Sequence, residues 1–371
     1  MAFDLYRVDN AFRDYILKRL LPQLKSDASS CNVIVPLYGR KSCLRLIKGM
    51  PDDEYAVRIF LTKDKKSIRQ LYRAYDLLKK NDIPSPRLVD YAMDFASSGF
   101  TFLTEDFLRG KAWYEITPDE NVSELLGELL AKLHSVESDQ CGALSERRLF
   151  CRNFRRSQFR RVKHRIHRIK KYLPAGIKRY EIRQVKDWFG KSLARLDEIK
   201  KYQLVHDKLN RGNLLYNQKE RKLYLLDFAT LGFCCRAKDL VQAEIDLLNN
   251  EKNLIRVFHE IYFSHFSPEI KEKYLYVRPF YHAYFHLSKS ASSLRRDYNN
   301  RKQEIPYKLS FYHDFSDNWQ NLQGVMKENP PLEKAEKTPG ISCLKSFRDR
   351  IFHKFGMSKA SKSPDRSDKE S

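Results

Sequence analysis

The stretch Val205-His206-Asp207-Lys208-Leu209-Asn210-Arg211-Gly212-Asn213-Leu214-Leu215-Tyr216, followed by Leu225-Leu226-Asp227-Phe228, is where chemistry-bearing residues are densest. Two short β-like runs, 203–205 and 223–227, bracket it. Phosphoryl transfer asks little covalent work of a protein. It needs a carboxylate to position the attacking hydroxyl, and oxygen ligands to hold Mg²⁺ on nucleotide phosphates. An Asn and an Asp on neighbouring loops can supply those oxygens, since Mg²⁺ prefers oxygen and keeps some waters. Asn213 and Asp227 meet that requirement, and Asp227 follows the apolar run Leu223-Tyr224-Leu225-Leu226. Taken singly, Asp207 and Asn213 read as turn residues. Asp227 alongside them is what favours a site.

Outward from this segment the pattern is α+β. Residues 10–24 place Phe12, Ile16, Leu20 and Leu24 at helical spacing. Runs 32–38, 43–47 and 54–61 read as an antiparallel meander, with turns at 39–42 and 49–52. A helix is expected over 65–80, with Ile68, Leu71, Tyr75 and Leu78 on one face, ended by Pro84 and Pro86. Strands follow at 87–93 and 99–105, then a helix over 123–136 with Ser123 as N-cap. Another helix is expected over 185–199, and residues 237–294 read as helices. Five strands with one helix, then mostly helix, is not the βαβα rhythm of a parallel sheet.

The bulk numbers bound the partners. The chain has 371 residues, 42% of them hydrophobic, with 23 Phe and 21 Tyr, enough for a real core. The formal net charge of +23 favours anionic partners: acidic membrane surfaces, phosphorylated glycolipids or nucleic acid. Residues 147–171 hold twelve Lys or Arg and no acid, with apolar residues near helical spacing. This reads as a basic helix, either a solvated face or a docking surface for phosphate. No RNA-binding motif is present, so nucleic acid ranks below the others. Seven Cys without C-x-x-C spacing read as reduced thiols of a cytosolic protein. No secretory signal and no apolar run of 18 residues is found, so any membrane contact is expected to be peripheral. Leu344, Phe347, Ile351 and Phe355 share one face of a basic segment, 343–355, in an otherwise disordered-looking tail. That pattern fits a helix on an anionic bilayer, or one packed back on the domain.

The central segment resembles the H-x-D-x-x-x-x-N…D-F signature of aminoglycoside phosphotransferase and lipopolysaccharide core sugar kinase relatives in the protein-kinase-like superfamily. Four further stretches agree in order. Ile83-Pro84-Ser85-Pro86 resembles the turn after the small-lobe helix, and Phe102-Leu103-Thr104-Glu105-Asp106-Phe107 the lobe hinge. The Leu126–Ser135 stretch resembles the helix ending in Leu-His, and Lys238-Asp239-Leu240 the Asp-Leu after the metal-binding segment. The match spans residues 32 to 250.

The resemblance implies a two-lobed protein-kinase-like fold, a small antiparallel-sheet lobe plus a larger helical lobe. Its expected divisions are an N-terminal helix in 1–31, a small lobe at 32–105, a large lobe at 106–323 and a tail at 324–371. It implies ATP and Mg²⁺, with Asn213 and Asp227 on the metal and Asp207 on the acceptor hydroxyl. Gly39, Ser42, Arg58, Glu105 and Lys208 would bind the nucleotide. The implied acceptor is a lipopolysaccharide-core sugar, an anionic glycolipid met at the cytoplasmic face of the inner membrane. A small-molecule kinase of the aminoglycoside or choline type, or a binding module without catalysis, are the alternatives. His206 and His134 are expected to be structural, and Glu105 to act through its backbone.

Three departures stand out. Lys208 occupies the place of the family's catalytic Asp, with Asp207 one residue earlier. Arg58 stands where the family has its phosphate-gripping Lys. Gln70 and Leu71 fill the places of its Glu partner. A kink allowed by Asn210 and Gly212 is expected to present Asp207 to the acceptor.

Overall fold

Apolar and β-branched residues dominate Glu54–Leu61 and Phe100–Asp106, and those largely buried strands lie inside a five-stranded antiparallel sheet. The computed structural model describes residues 5–24, 32–38, 43–48, 54–61, 65–144, 153–172, 177–302 and 310–331. The expected 343–355 helix, Gly39 and Ser42 lie outside them. The sheet comprises β1 (Asn32–Tyr38), β2 (Cys43–Lys48), β3 (Glu54–Leu61), β4 (Leu88–Ala92) and β5 (Phe100–Asp106), in the order β1-β2-β3-β5-β4. Its connecting helix is α3 (Lys65–Lys80).

The N-terminal helix begins five residues before its expected start. It runs as α1 (Leu5–Tyr15), a π-helical turn (Ile16–Leu20) and α2 (Leu21–Leu24). Val8, Phe12, Tyr15, Ile16 and Leu20 are buried in one core with Val57, Ile59, Phe100 and Phe102. The Tyr15 ring stacks on Phe102 at 4.4 Å between centroids. Its hydroxyl lies 2.7 Å from both Asp90 and Thr104, and Arg19 donates to both oxygens of Asp90 at 2.9 Å. This segment is part of the sheet's core and not an appended arm.

After the sheet the chain forms β6 (Lys111–Ala112), α4 (Glu120–His134), β7 (Glu137–Ser138) and β8 (Gly142–Ala143). Then follow α5 (Phe154–Lys171), α6 (Arg179–Ser192), β9 (Tyr202–Val205), β10 (Leu214–Asn217), β11 (Lys222–Leu225) and β12 (Gly232–Cys234). The chain continues as α7 (Ala237–Gln242), α8 (Lys252–Ser264), α9 (Pro268–Lys302) and α10 (Ser310–Glu328). The short strands form two antiparallel sheets, β11-β10-β6 and β7-β9-β12-β8. Asp119, not Ser123, caps α4, accepting from the Val122 N–H at 2.8 Å. Ser123 lies inside the helix and donates back to the Asp119 carbonyl. Gly127 lets α4 approach α8: a Cβ there would stand 3.0 Å from the Phe258 carbonyl oxygen.

The chain forms two compact units. One comprises residues 1–158 and 199–266 and holds the twelve strands found among the described residues. The other comprises 159–198 and 267–371 and is helical where described. The second unit is built on α6, α9 and α10, with Trp188, Phe189, Phe280, Phe315 and Trp319 buried. Helix α10 extends past the expected start of the tail at 324. Val325 is buried, and the Trp188 indole donates to the Asn329 carbonyl at 3.0 Å. The mixed α+β class and the antiparallel small sheet are as the sequence indicates. Among the described residues no helix is long and apolar enough to cross a membrane.

Candidate functional site

The segment after β9 is pinned from beneath by one buried carboxylate. Asp239, at the start of α7, accepts the His206 N–H at 2.6 Å on one oxygen and the Asp207 N–H at 3.1 Å on the other. Asp207 adopts a left-handed backbone, φ 62°. Few side-chain-bearing residues sit there without cause. The unusual backbone therefore falls at Asp207 itself and not at Asn210 or Gly212, whose φ is not positive. Asn210 stabilises the loop differently: its side-chain oxygen accepts the Gly212 N–H at 2.9 Å.

The turn at Asp207 sends adjacent side chains to different partners. Asp207 pairs with Lys238. Lys208 reaches the other way, its Nζ 2.5 Å from Asp227 Oδ2. The Asn213 side-chain amide donates an N–H to the Lys208 carbonyl at 2.9 Å, and the Asn213 backbone carbonyl accepts the Leu226 N–H at 2.9 Å. The second bond ties the Asn213 loop directly to the strand end carrying Asp227. Asp227 is also left-handed, φ 60°.

His206 serves this architecture. Its Nε2 lies 2.8 Å from the Leu226 carbonyl, one residue before Asp227, and its own carbonyl accepts from Thr230 at 2.9 Å. Burial holds its pKa below the ordinary value, so the ring is neutral, with Nε2–H donating. His134 is buried likewise, 2.8 Å from the Tyr262 hydroxyl and 3.6 Å from Asp239. Both histidines are structural, as their sequence contexts suggest.

Arg58 on β3 donates from Nε to Glu105 Oε1 on β5 at 2.9 Å. Burial works against its charge, yet the carboxylates of Glu105 and, more weakly, Asp227 hold its pKa above the ordinary value. The sequence suggests a role for the Glu105 backbone alone, but its side chain is the acid that braces Arg58, and only 3% of the residue is exposed. Its second oxygen accepts from Tyr75 of α3. The helix acid that the family would supply to the cation is absent, and strand β5 supplies it instead. α3 still takes part, through a Tyr75-to-Glu105-to-Arg58 chain. Gln70 donates to the Leu231 carbonyl at 3.4 Å, and Tyr75 meets Phe228 edge-on, so α3 also rests on the segment after Asp227.

Asp227 carries two positive neighbours. Burial would raise its pKa, but the Lys208 hydrogen bond and charge, then Arg58, hold it below the carboxylate range. Arg58, Glu105, Lys208, Asn213 and Asp227 therefore come together, while Asp207 turns to Lys238. Tyr75, Lys238 and the anchoring role of Asp239 were not identified from sequence. A tyrosine in a buried helical stripe was the available signal, since a buried hydroxyl needs a partner.

The donor set suits a hard cation. Asn213 uses its amide nitrogen on the Lys208 carbonyl, leaving its amide oxygen for another ligand, and Asp227 adds a carboxylate. No group of three or more His, Cys, Asp or Glu fit to hold a metal is found among the described residues. Two oxygen ligands suit Mg²⁺ that completes its shell with phosphates and waters.

Residues 43–248 match the model of the phosphotransferase enzyme family. No curated protein matches the sequence. Solved structures share the kinase-like fold. A spectinomycin phosphotransferase in complex with ADP and spectinomycin is 13% identical, covers 84% of this chain and 98% of its own, and gives a TM-score of 0.52. The GDP complex of an aminoglycoside 2'-phosphotransferase is 13% identical over 85% of this chain and 98% of its own, TM-score 0.55. An ethanolamine kinase from Plasmodium vivax is 13% identical over 80% and 82%, TM-score 0.51.

Proposed function

Because the chain belongs to the phosphotransferase enzyme family, we propose that it moves the γ-phosphoryl group of ATP to a hydroxyl of a lipopolysaccharide-core sugar. The observation that supports this reading is the gathering of Asn213, Asp227, Arg58 and Lys208 around one strand end. Asn213 and Asp227 hold the metal. Bound Mg²⁺ supplies charge neutralisation on the nucleotide phosphates. Arg58, braced by Glu105, and Lys208 hold phosphate oxygens. The acceptor oxygen forms its bond to the γ-phosphorus as the bond to ADP breaks. Asp207 takes the hydroxyl proton, and Lys238 keeps that carboxylate oriented.

An anionic acceptor suits the charge of the chain. The net charge is +23, and α5 presents nine Lys and Arg and no acid over 18 residues. The same surplus supports peripheral contact with an anionic membrane, in this reading at the cytoplasmic face of the inner membrane. The test is turnover of ATP with Mg²⁺ by the purified chain, comparing core oligosaccharide, an aminoglycoside and ethanolamine. Core oligosaccharide is expected to be phosphorylated fastest. Phosphorylation of the aminoglycoside or ethanolamine alone would reject the glycolipid acceptor. A second reading, a nucleotide-binding module without turnover, is favoured by one observation. An ammonium, that of Lys208, and not a carboxylate stands beside Asp227. ATP binding with no turnover on any acceptor would select it.

A further inference from the structure

The family pattern puts a carboxylate where this chain has Lys208. One substitution therefore changes the charge around Asp227 by two units. As built, the site holds three cations, Arg58, Lys208 and Lys238, against three carboxylates, Glu105, Asp207 and Asp227, in three pairs. With Asp in place of Lys208, four carboxylates would face two cations. Such a site repels phosphates until a divalent cation arrives, because like charges a few ångströms apart oppose one another strongly at low dielectric.

Lys208 is built to remove that repulsion. Its Nζ lies 2.5 Å from Asp227 Oδ2, on the carboxylate that would otherwise face the metal. Its position is fixed by more than this contact. The Lys208 carbonyl accepts from the Asn213 side chain at 2.9 Å, so both metal-ligand candidates touch the same residue. The neighbouring Asp207 is held in a left-handed turn by Asp239 and drawn to Lys238, which directs the Lys208 side chain toward Asp227. The Lys208 side chain is half exposed, so its ammonium stays open to a ligand.

We propose that Lys208 is an internal counter-ion standing in for a divalent cation at Asp227, so that the site accepts a nucleoside triphosphate without metal. The proposal rests on the nucleotide-binding reading above, and goes beyond it in removing the metal requirement from binding. When Asp227 takes a metal instead, Lys208 is released to the phosphates, and the two cations act in succession.

The experiment titrates ATP into the full chain by calorimetry, once with excess Mg²⁺ and once with a chelator. Wild type should bind ATP under both conditions, with dissociation constants within about threefold of each other. Lys208→Met should weaken binding in both conditions, but by at least about tenfold more in the chelator than with Mg²⁺, since with Mg²⁺ only its phosphate contact is lost while the metal still neutralises Asp227. Lys208→Arg should keep the metal-free binding, which separates charge from a structural effect. Thermal unfolding of each variant checks that the half-exposed side chain is dispensable for folding. An identical Mg²⁺ dependence in wild type and Lys208→Met overturns the proposal while leaving the nucleotide site intact. Absence of ATP binding by wild type under both conditions overturns the nucleotide-binding reading, and this inference with it.

Discussion

The catalytic-loop segment and helix α5 carry charge in opposite ways. In the first, each ionic group considered has a named partner: Asp207 with Lys238, Asp227 with Lys208, Glu105 with Arg58, and Asp239 with two backbone N–H groups. In α5, nine cations share 18 residues with no acid, over a buried stripe of Val162, Ile166 and Ile169. Arg168 and His164 there are pulled below their ordinary pKa values by desolvation and by neighbouring cations, among them Arg165 and Arg295. Paired charges fix geometry, because loss of either partner strands the other. Like charges crowded on a surface fix little locally, but their field extends about 8–10 Å at moderate salt. Substitutions should therefore stop chemistry in the first region, and change only encounter with anions in the second.

The largest expected effect is at Asp227. Asp227→Ala removes the proposed metal-ligand carboxylate and Lys208's partner together, and turnover should fall on the order of a thousandfold. The fold should survive, since the Asp227 side chain is 28% exposed and packs in no core. Steady-state kinetics with a circular dichroism control would check this. Unchanged kcat would show that the assembled charges serve structure alone. Asp207→Asn should lower kcat by about a hundredfold while sparing ATP affinity, the size of a lost proton acceptor. A fall in ATP affinity instead would place Asp207 on the nucleotide.

Glu105→Gln tests the relay between α3 and Arg58. The substitution keeps shape and removes charge, leaving Arg58 facing a neutral amide. Stability should drop by about 2 kcal/mol, the scale of a hydrogen bond to a charged group. ATP affinity should fall with it as Arg58 loses its orientation. Tyr75→Phe should do the same more weakly, since Glu105 keeps Arg58. Equal stability of Glu105→Gln and wild type by urea unfolding would contradict the pairing.

The paired region should also respond to acid. His134 and His206 are buried, and burial holds both pKa values below 6.5 in the folded chain. The unfolded chain then takes up more protons below pH 6.5, so stability should fall as pH falls through that value. The slope is about 1.4 kcal/mol per pH unit for each ring, at most. Denaturant midpoints at pH 7.5 and 5.5 would measure it, and a flat profile would mean the rings are accessible to protons when folded.

The sequence carried the fold well wherever apolar period and turn chemistry agreed. The meander, α3, and the Phe12-Ile16-Leu20 stripe all lie where spacing puts them. It failed where the partner is remote in sequence. Arg58 meets Glu105 across 47 residues, Asp207 meets Lys238 across 31, and nothing local signals either pair. Strand β10 was missed because Leu214–Asn217 follows directly on the loop motif and is only four residues long. Asp207's left-handed turn depends on Asp239, 32 residues later, and so could not be read from Asn210 and Gly212.

The smallest effect should come from α5, and its sign is the sharpest test of the comparison. Arg168 faces Arg165 and Arg295, so neutralising it relieves repulsion instead of stranding a partner. Gln and Arg have similar helix propensity, so Arg168→Gln leaves the backbone preference nearly unchanged. The variant should be more stable than wild type by roughly 0.3 kcal/mol, the scale of one like-charge pair on a helix. The gain should fade as added salt screens the repulsion. Binding of a phosphate-bearing polyanion should weaken in the same variant, which separates relief of repulsion from any loss of structure. Guanidinium chloride would mask the effect with its own ions, so urea at low and high NaCl is the right denaturant. A destabilisation above about 0.5 kcal/mol, beyond the usual range for surface substitutions, would show that Arg168 holds something in the fold. The contrast between a site of opposite-charge pairs and a helix of like charges would then fail at that residue.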